Sequence, residues 1–322
     1  KTGASNKFND LTVSGSAATI SDNDVEIGGV LTASGTLTVA AGDQLTFTGS
    51  SKAHIIDGTL TVNTSSGVNS ILDFTGSTSN TVVVSNGGTL NLDGTGNGGD
   101  NSTGRVFLTG DADSRVDLTF PSTGTNDGLF DGDHFTVSFP VAAGIKINSD
   151  AAHQMNNGFF KNPTSGGVLL NFESASTLPT TIDSCSFNGN SGVDKNASAN
   201  ANTDPVTFIN YAGGLADDAT VAEANDSDNG DPGDKLIWFN GVWYSYRFAF
   251  PKNCDNLGSW YSSPNSATAL KPADFGITDF SDADSEWIID NTGSAHTYTA
   301  AANWSPTGKV TIKSGSSLDP AG

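Results

Sequence analysis

Basic side chains are scarce in this sequence of 322 residues: 14 Lys and Arg stand against 35 Asp and Glu, a net charge of −21. That balance argues against nucleic-acid backbones and anionic membrane surfaces as partners, because both would be repelled. Only 15% of the residues are charged, so Ser, Thr, Asn and Gly must form most of the surface. With Lys and Glu this rare, long exposed helices are not expected. Cysteine is nearly absent, and Cys185 and Cys254 fit either a disulfide or two buried free thiols. Long apolar runs are missing as well. With no stretch of 18 apolar residues, no signal-like segment and no initiator Met, the chain is expected to be mature, without membrane insertion, and extracellular. The histidines, His54, His134, His153 and His296, are scattered, without the His-x-x-x-His spacing of a zinc site. No phosphate loop and no Ser/His/Asp arrangement stands out.

What the sequence does have is alternation. Leu11-Thr-Val13, Val25-Glu-Ile27, Leu37-Thr-Val39, Leu45-Thr-Phe47, Leu60-Thr-Val62, Leu90-Asn-Leu92 and Val116-Asp-Leu118 all place apolar residues two apart, the period of half-buried strands. Gly, Asn, Asp and Ser punctuate these segments, which is the turn chemistry of an all-β fold. A sandwich would share those statistics, but the phrase GTLTV at 35–39 returns at 58–62 and again as GTLNL at 88–92. Leu37 and Leu60 are 23 residues apart, Leu60 and Leu90 are 30 apart, and Leu11 precedes Leu37 by 26. A period in the twenties, varying only through turn-rich insertions, predicts a solenoid of stacked coils with parallel strands. Leu and Val of each phrase should face the core and Thr should face out. The opening glycine is expected at a corner that needs positive φ.

Further along, NNGFFKN (156–162), GVLLNFES (167–174), TTIDSCSFNGN (180–190) and DPVTFINYAG (204–213) resemble coils of right-handed parallel β-helix proteins, the pectin-lyase-like superfamily. The resemblance covers about residues 10–240 and implies a fold and not an activity. Two polar stretches, DGTGNGGDNSTG (93–104) and NASANAN (196–202), are expected to loop out between coils. After the acid-rich break ANDSDNGDPGD (224–234) the composition changes, and all five Trp and all five Tyr lie from residue 211 onward. The predicted organisation is therefore a parallel β-helix over 1–235 and an aromatic-rich β region over 236–322, serving as a cap or assembly segment.

Carboxylates recur in turns. Asp226, Asp228, Asp231 and Asp234, and separately Asp282, Asp284 and Glu286, are the candidate ligands for Ca²⁺, which takes six to eight oxygens; solvation of turns is the plainer account of the same residues. The β-helix resemblance also raises a polysaccharide lyase or glycoside hydrolase. On that alternative Asp127, Asp131, Asp133 and His134 form the candidate catalytic cluster, a loose echo of polygalacturonase-like signatures. Gly-His-Gly is absent, however, Gly144-Ile-Lys146 lacks the Arg, and Arg105, Arg115 and Arg247 are the only arginines. Trp238, Trp243, Tyr244 and Tyr246 in LIWFNGVWYSYRFAFP (236–251) could offer flat rings to a glycan. Asn240-Gly241 between the two aromatic runs signals a hairpin packed on the solenoid instead. The sequence is thus read as a secreted structural solenoid, a subunit of a filament, surface layer or adhesin. Its strand-like start and the GKVTIKSGSSL segment (308–318) near its end predict a homo-oligomer or polymer formed end to end. The alternative is a glycan-binding or glycan-cleaving β-helix.

Overall fold

The computed structural model describes residues 6–22, 24–76, 78–96, 103–122, 127–149, 151, 153–172, 181–199, 206–217, 219–228, 235–239, 242–245, 254, 256–261, 271–272, 279–281, 285–290, 298–300, 304–316 and 318–320. They divide into two compact units, Lys1–Trp238 and Phe239–Gly322; the sequence suggested a boundary at 235.

The first unit is a β-solenoid of three long parallel sheets holding 8, 9 and 9 strands. Each coil gives one strand to each sheet in turn. Asn6–Phe8, Leu11–Val13 and Ala18–Ile20 make the first described coil. Ser186–Asn188, Lys195–Ala199 and Val206–Ile209 make the eighth, and Ser227–Asp228 and Leu236–Phe239 add to the second and third sheets beyond it. The repeated phrase is the third-sheet strand, and its register is direct: Leu37 pairs with Leu60 and Leu60 with Leu90. Leu37, Val39, Leu60, Val62, Leu90 and Leu92 are all buried, while Thr38, Thr61 and Asn91 face outward and are half-buried. This is period-two alternation converted into a core tube.

Three expectations change. Leu11 is not the counterpart of Leu37: it lies in the second sheet opposite Leu31, and Leu37 follows Ala18. Each coil has three similar faces, so a plausible spacing can cross from one sheet to another. The glycines opening the phrase also act differently from expectation. No positive φ occurs at Gly35, Gly58 or Gly88. A Cβ on Gly58 would instead lie 2.2 Å from the carbonyl oxygen of Gly35, and one on Gly88 2.1 Å from that of Ile56. They are glycine because the preceding coil's backbone passes too close for a side chain. NASANAN, finally, is not a protruding loop over its described part. Lys195–Ala199 is a second-sheet strand with Asn196, Ala197 and Ala199 buried. The Asn196 amide donates to the carbonyls of Leu215 and Ala222, satisfying the polar group that composition alone would send to solvent.

Aromatic rings continue the core from coil to coil. Phe130, Phe135, Phe160, Phe187 and Phe208 follow one another with ring centres 5.2 to 5.6 Å apart, and Trp238 stacks on Phe208 at 4.0 Å. Such offset and edge-on pairs add stabilisation beyond area burial. The single described α-helix, Ala219–Ala224, has six residues, and no helix among the described residues is long and apolar enough to cross a membrane.

The second unit contains a four-stranded sheet ordered Trp260–Tyr261, Val242–Ser245, Glu286–Ile289, Lys309–Ile312. Its first pair is antiparallel and the other two are parallel. Tyr298–Ala300 pairs in parallel with Leu318–Pro320. Trp243, Trp260 and Trp287 are fully buried, with Trp260 edge-on to Trp287 at 5.2 Å. The hairpin expected at Asn240-Gly241 is not formed, because Leu236–Phe239 and Val242–Ser245 belong to different sheets; the two turn residues themselves lie outside the described residues.

Candidate functional site

The outer face of the third sheet concentrates the polar chemistry. Its strands place Thr38, Thr61, Asn91, Asp131 and Gln154 in one outward column. Asn63, Asp93, Asp133, Asn156 and Asp183 form the next. Neighbouring strands lie about 4.8 Å apart, so carboxylates in adjacent coils are held close. The Asp131 carboxyl is pushed up from the ordinary carboxylate range, first by burial and then by the charges of Asp93 and Asp133. Corner residues in left-handed backbone steady the second column. Asn157 (φ 52°) donates from its amide to Asp133 Oδ1 at 2.9 Å, and Asn210 (φ 50°) to Asp183 Oδ1 at 3.0 Å. Asn tolerates that conformation better than most residues, which explains its recurrence at these corners.

Of the four candidate catalytic residues, three cluster at one end of Leu129–Asp133: Asp131, Asp133 and the corner residue His134. The ring Nδ1 of His134 is 2.9 Å from Asp133 Oδ1, but that nitrogen is buried without the alignment of a hydrogen bond. Proximity here is not a formed acid–base pair. Asp127 precedes the strand Leu129–Asp133, away from its Asp131–Asp133 end, and lies near the buried His153. The cluster is therefore three residues joined by Asp93, without Asp127.

Two of the three arginines, Arg105 and Arg115, are engaged inside the stack. Arg105 is buried, donating to the carbonyls of Phe135 and Asn157 and to the Thr136 hydroxyl, with its guanidinium 4.5 Å from the centre of the Phe159 ring. Arg115 likewise donates to the carbonyls of Pro140 and Asn162. Both reach across two following coils and tie their corners together. Lys146 pairs with Asp117 at 3.1 Å. Nothing in the spacing of the sequence signals these staples.

Two histidines are structural in the same way. His54 Nδ1 accepts the Leu31 N–H, and His153 Nδ1 accepts the Phe130 N–H, at 3.1 and 2.9 Å. Each ring is thereby fixed as the neutral tautomer with its proton on Nε2. In His153 that proton points to Ser149 Oγ, whose own hydroxyl donates to the Gly128 carbonyl. The Ser149–His153 contact thus runs opposite to a nucleophile–base pair: the imidazole gives its proton and does not receive one. Burial pushes both histidines down to about 4. Burial also pushes the Cys185 thiol up to about 12, which keeps it protonated and unreactive. Cys185 and Cys254 are free thiols.

The described members of the predicted cation and sugar sites are engaged within their own units. Asp226 accepts the Trp238 Nε1 hydrogen at 2.8 Å, so one candidate ligand holds one candidate platform ring in place. Glu286 takes Lys309 at 2.8 Å and the Thr311 hydroxyl at 2.7 Å, and the two hold its carboxyl below its usual range. Asp228 lies in the strand Ser227–Asp228, and Asp231, Asp234, Asp282 and Asp284 lie outside the described residues. Among the described residues, no three His, Cys, Asp or Glu side chains are grouped to hold a metal ion. Trp238 is 5% exposed, and Trp243 is fully buried with its Nε1 donating to Ser285 Oγ. Neither ring presents a face to a glycan, because each packs its own unit. Tyr244 pairs through its backbone with Tyr261, and Tyr246 lies outside the described residues.

Among the described residues, an apolar cavity lies at the first described coil. At the first coil a cavity of about 260 Å³ is lined by Phe8, Leu11, Val13, Ala18, Ile20 and Val25 among others. Phe8 faces inward opposite Ile27 yet is 42% exposed. In the later described coils the equivalent apolar side chains are buried against the following coil.

No protein-family model matches this chain, and no curated protein or solved structure does either.

Proposed function

We propose that this chain is an extracellular structural protein: a right-handed parallel β-helix serving as a subunit of a filament, surface layer or adhesin and assembling end to end. The observation that supports the reading is the stack of parallel coils in direct register, whose three first described strands have no further strand partner among the described residues. A strand edge without a partner favours the addition of further strands. The internal use of Arg105, Arg115, His54, His153 and Cys185 supports a scaffold role, since these side chains serve the stack. Calcium fits as a counter-ion for a chain of net charge −21, binding the folded form and stabilising it by mass action. Sedimentation velocity across a concentration series, with negative-stain imaging of native material, tests the reading. Ordered fibres or sheets are expected, and a monomer at every concentration with no lattice in native material would refute it.

A second reading, a glycan-binding or glycan-cleaving β-helix, is favoured by the Asp93, Asp131 and Asp133 group on the third sheet, where the Asp131 carboxyl is pushed up as a general acid's would be. Loss of polysaccharide turnover or retention in Asp131→Asn, with wild-type activity present, would support it.

A further inference from the structure

We infer that the threonine face of the third sheet is a binding site for ice, with the hydroxyls and methyls of Thr19, Thr36, Thr38, Thr59, Thr61 and Thr89 seated on the water lattice. The strands Ala18–Ile20, Thr36–Val39, Thr59–Asn63 and Thr89–Asp93 follow one another in direct register. Thr36, Thr59 and Thr89 make one outward column, and Thr19, Thr38, Thr61 and Asn91 make the next. Thr19 is exposed and the other six are half-buried. Among the described residues, none of these seven side chains takes a hydrogen-bond partner from the rest of the chain. Outward threonines elsewhere do: Thr46 accepts from Gln44 Nε2, Thr136 accepts from Arg105 Nε, and Thr81 donates to Asp117. The hydroxyls of the third-sheet array are thus left to solvent, and branching at Cβ restricts each to few rotamers.

The array has repeats close to those of a water lattice. Neighbouring strands lie about 4.8 Å apart, and alternate residues of one strand about 6.7 Å apart. Hydrogen-bonded water oxygens lie about 2.75 Å apart, so tetrahedral linkage spaces like oxygens of hexagonal ice about 4.5 Å apart within a layer and about 7.3 Å along the perpendicular axis. A mismatch of about 0.3 Å per strand reaches only about 1 Å over four strands, so a patch of this size stays in phase. The hydroxyls can bond to lattice waters, and the methyls between them gain by leaving liquid water. Charge points the same way. The chain carries −21, yet the outward positions from Thr19 to Asn91 hold no charged side chain, and Asp93 is the first carboxylate beyond them. An uncharged face on an acidic chain complements a neutral lattice, whereas counter-ions belong to the Asp93, Asp131 and Asp133 end. A glycan surface fits less well, because the patch offers no aromatic ring to stack on a pyranose. Seating on ice needs only a single chain, so it does not depend on end-to-end assembly.

The test is partition of the full chain between slowly growing ice and the remaining liquid, with inhibition of ice recrystallisation as a second readout. Wild type is expected to concentrate in the ice while a non-binding protein stays in the liquid. Thr38→Lys and Thr61→Lys combined in one chain place two long charged side chains in the contact, and should lower the retained fraction at least about tenfold. Thr32→Lys and Thr119→Lys combined, at half-buried outward threonines of the second sheet, add the same charge on another face and should leave retention at the wild-type level. Far-UV circular dichroism checks that both double variants keep the β fold. Wild type left in the liquid overturns the inference, and so does equal retention of the two double variants. If wild type stays out of ice but is held by insoluble cellulose or chitin, and the Thr38/Thr61 pair of lysines abolishes that retention, the face serves a glycan and the ice site is overturned.

Discussion

Replacing Gly58 with alanine would insert one methyl group between two stacked coils. The added Cβ would lie 2.2 Å from the Gly35 carbonyl oxygen and 2.7 Å from the Ser34 carbonyl carbon. Carbon and oxygen rest at roughly 3.3 Å or more, so the coils must part by about 1 Å at a corner where strands are spaced about 4.8 Å. The same Gly35 oxygen accepts the Thr59 N–H at 3.0 Å, and the Gly58 N–H donates to Ala33 at 2.8 Å. Neither bond survives that movement intact. Overpacking costs about 1–3 kcal/mol and a lost hydrogen bond about 1 kcal/mol. With both bonds lost and the stiffer unfolded chain returning about 0.4–1 kcal/mol, the net loss is about 2–5 kcal/mol. Gly192 is the matched control, because a Cβ there would meet nothing within 4 Å and its φ is not in the left-handed region. Gly192→Ala should be neutral or stabilise by up to about 1 kcal/mol. Urea unfolding followed by far-UV circular dichroism gives both midpoints. A Gly58→Ala midpoint equal to wild type, or a Gly192→Ala midpoint that falls as far, would refute the close-approach argument.

Acid should loosen the solenoid in a defined window. His54 and His153 titrate at about 4 when folded against 6.5, so their stabilising effect is complete above pH 6.5 and is lost as pH falls toward 4. Each contributes about 3 kcal/mol over that range, while the raised carboxyls of Asp73 and Asp131 work the other way at lower pH. His54→Asn, which keeps an acceptor but does not titrate, should flatten the urea midpoint between pH 7 and pH 4.5, and an unchanged slope would count against this assignment. Arg105→Met removes the donors to two corner carbonyls and should cost about 2–4 kcal/mol; Arg105→Lys should rescue only part, since an ammonium cannot fork between them. Should the Arg105→Lys midpoint match wild type, the fork is not what matters. Millimolar calcium should raise the thermal midpoint relative to chelator, and equal midpoints would mean that the carboxylates only solvate the surface.

The core tube was legible because alternation is a local signal. Leu-x-Val in a short segment forces one face inward whatever the neighbours do, and repetition at Leu37, Leu60 and Leu90 carried the register. Coil equivalence was less legible, as Leu11 shows, because all three faces of a coil are written in the same alphabet. The glycine column was visible, but its cause was not: close approach of Gly58 to Gly35 depends on a residue 23 positions away. Asn196 and the alanines beside it looked like a loop by composition and became a strand because the amide finds carbonyls at Leu215 and Ala222. For the candidate site, Asp131, Asp133 and His134 were legible as neighbours in sequence. Asp93 was not, since only the stacking of coils brings it beside them. The platform reading of Trp238 failed for the complementary reason: an aromatic cluster in sequence says nothing about whether Phe208 already occupies one ring face.

These placements bear on function through what remains at the surface. The chain has three arginines and four histidines. Of these, Arg105, Arg115, His54 and His153 are bound to backbone carbonyls or amides within the stack. The third sheet is left with hydroxyls, amides and carboxylates arrayed at the spacing of the strands. Chemistry spread along columns in this way is suited to extended partners or to counter-ions, and no single outward residue should dominate it. The first coil differs in kind. There Phe8 and the cavity beside it place apolar side chains at the edge of the described residues, where burial by further chain is favourable. Outward substitutions on the columns should therefore act weakly, whereas changes to the apolar lining of the first described coil, such as Leu11→Ala, should lower the urea midpoint.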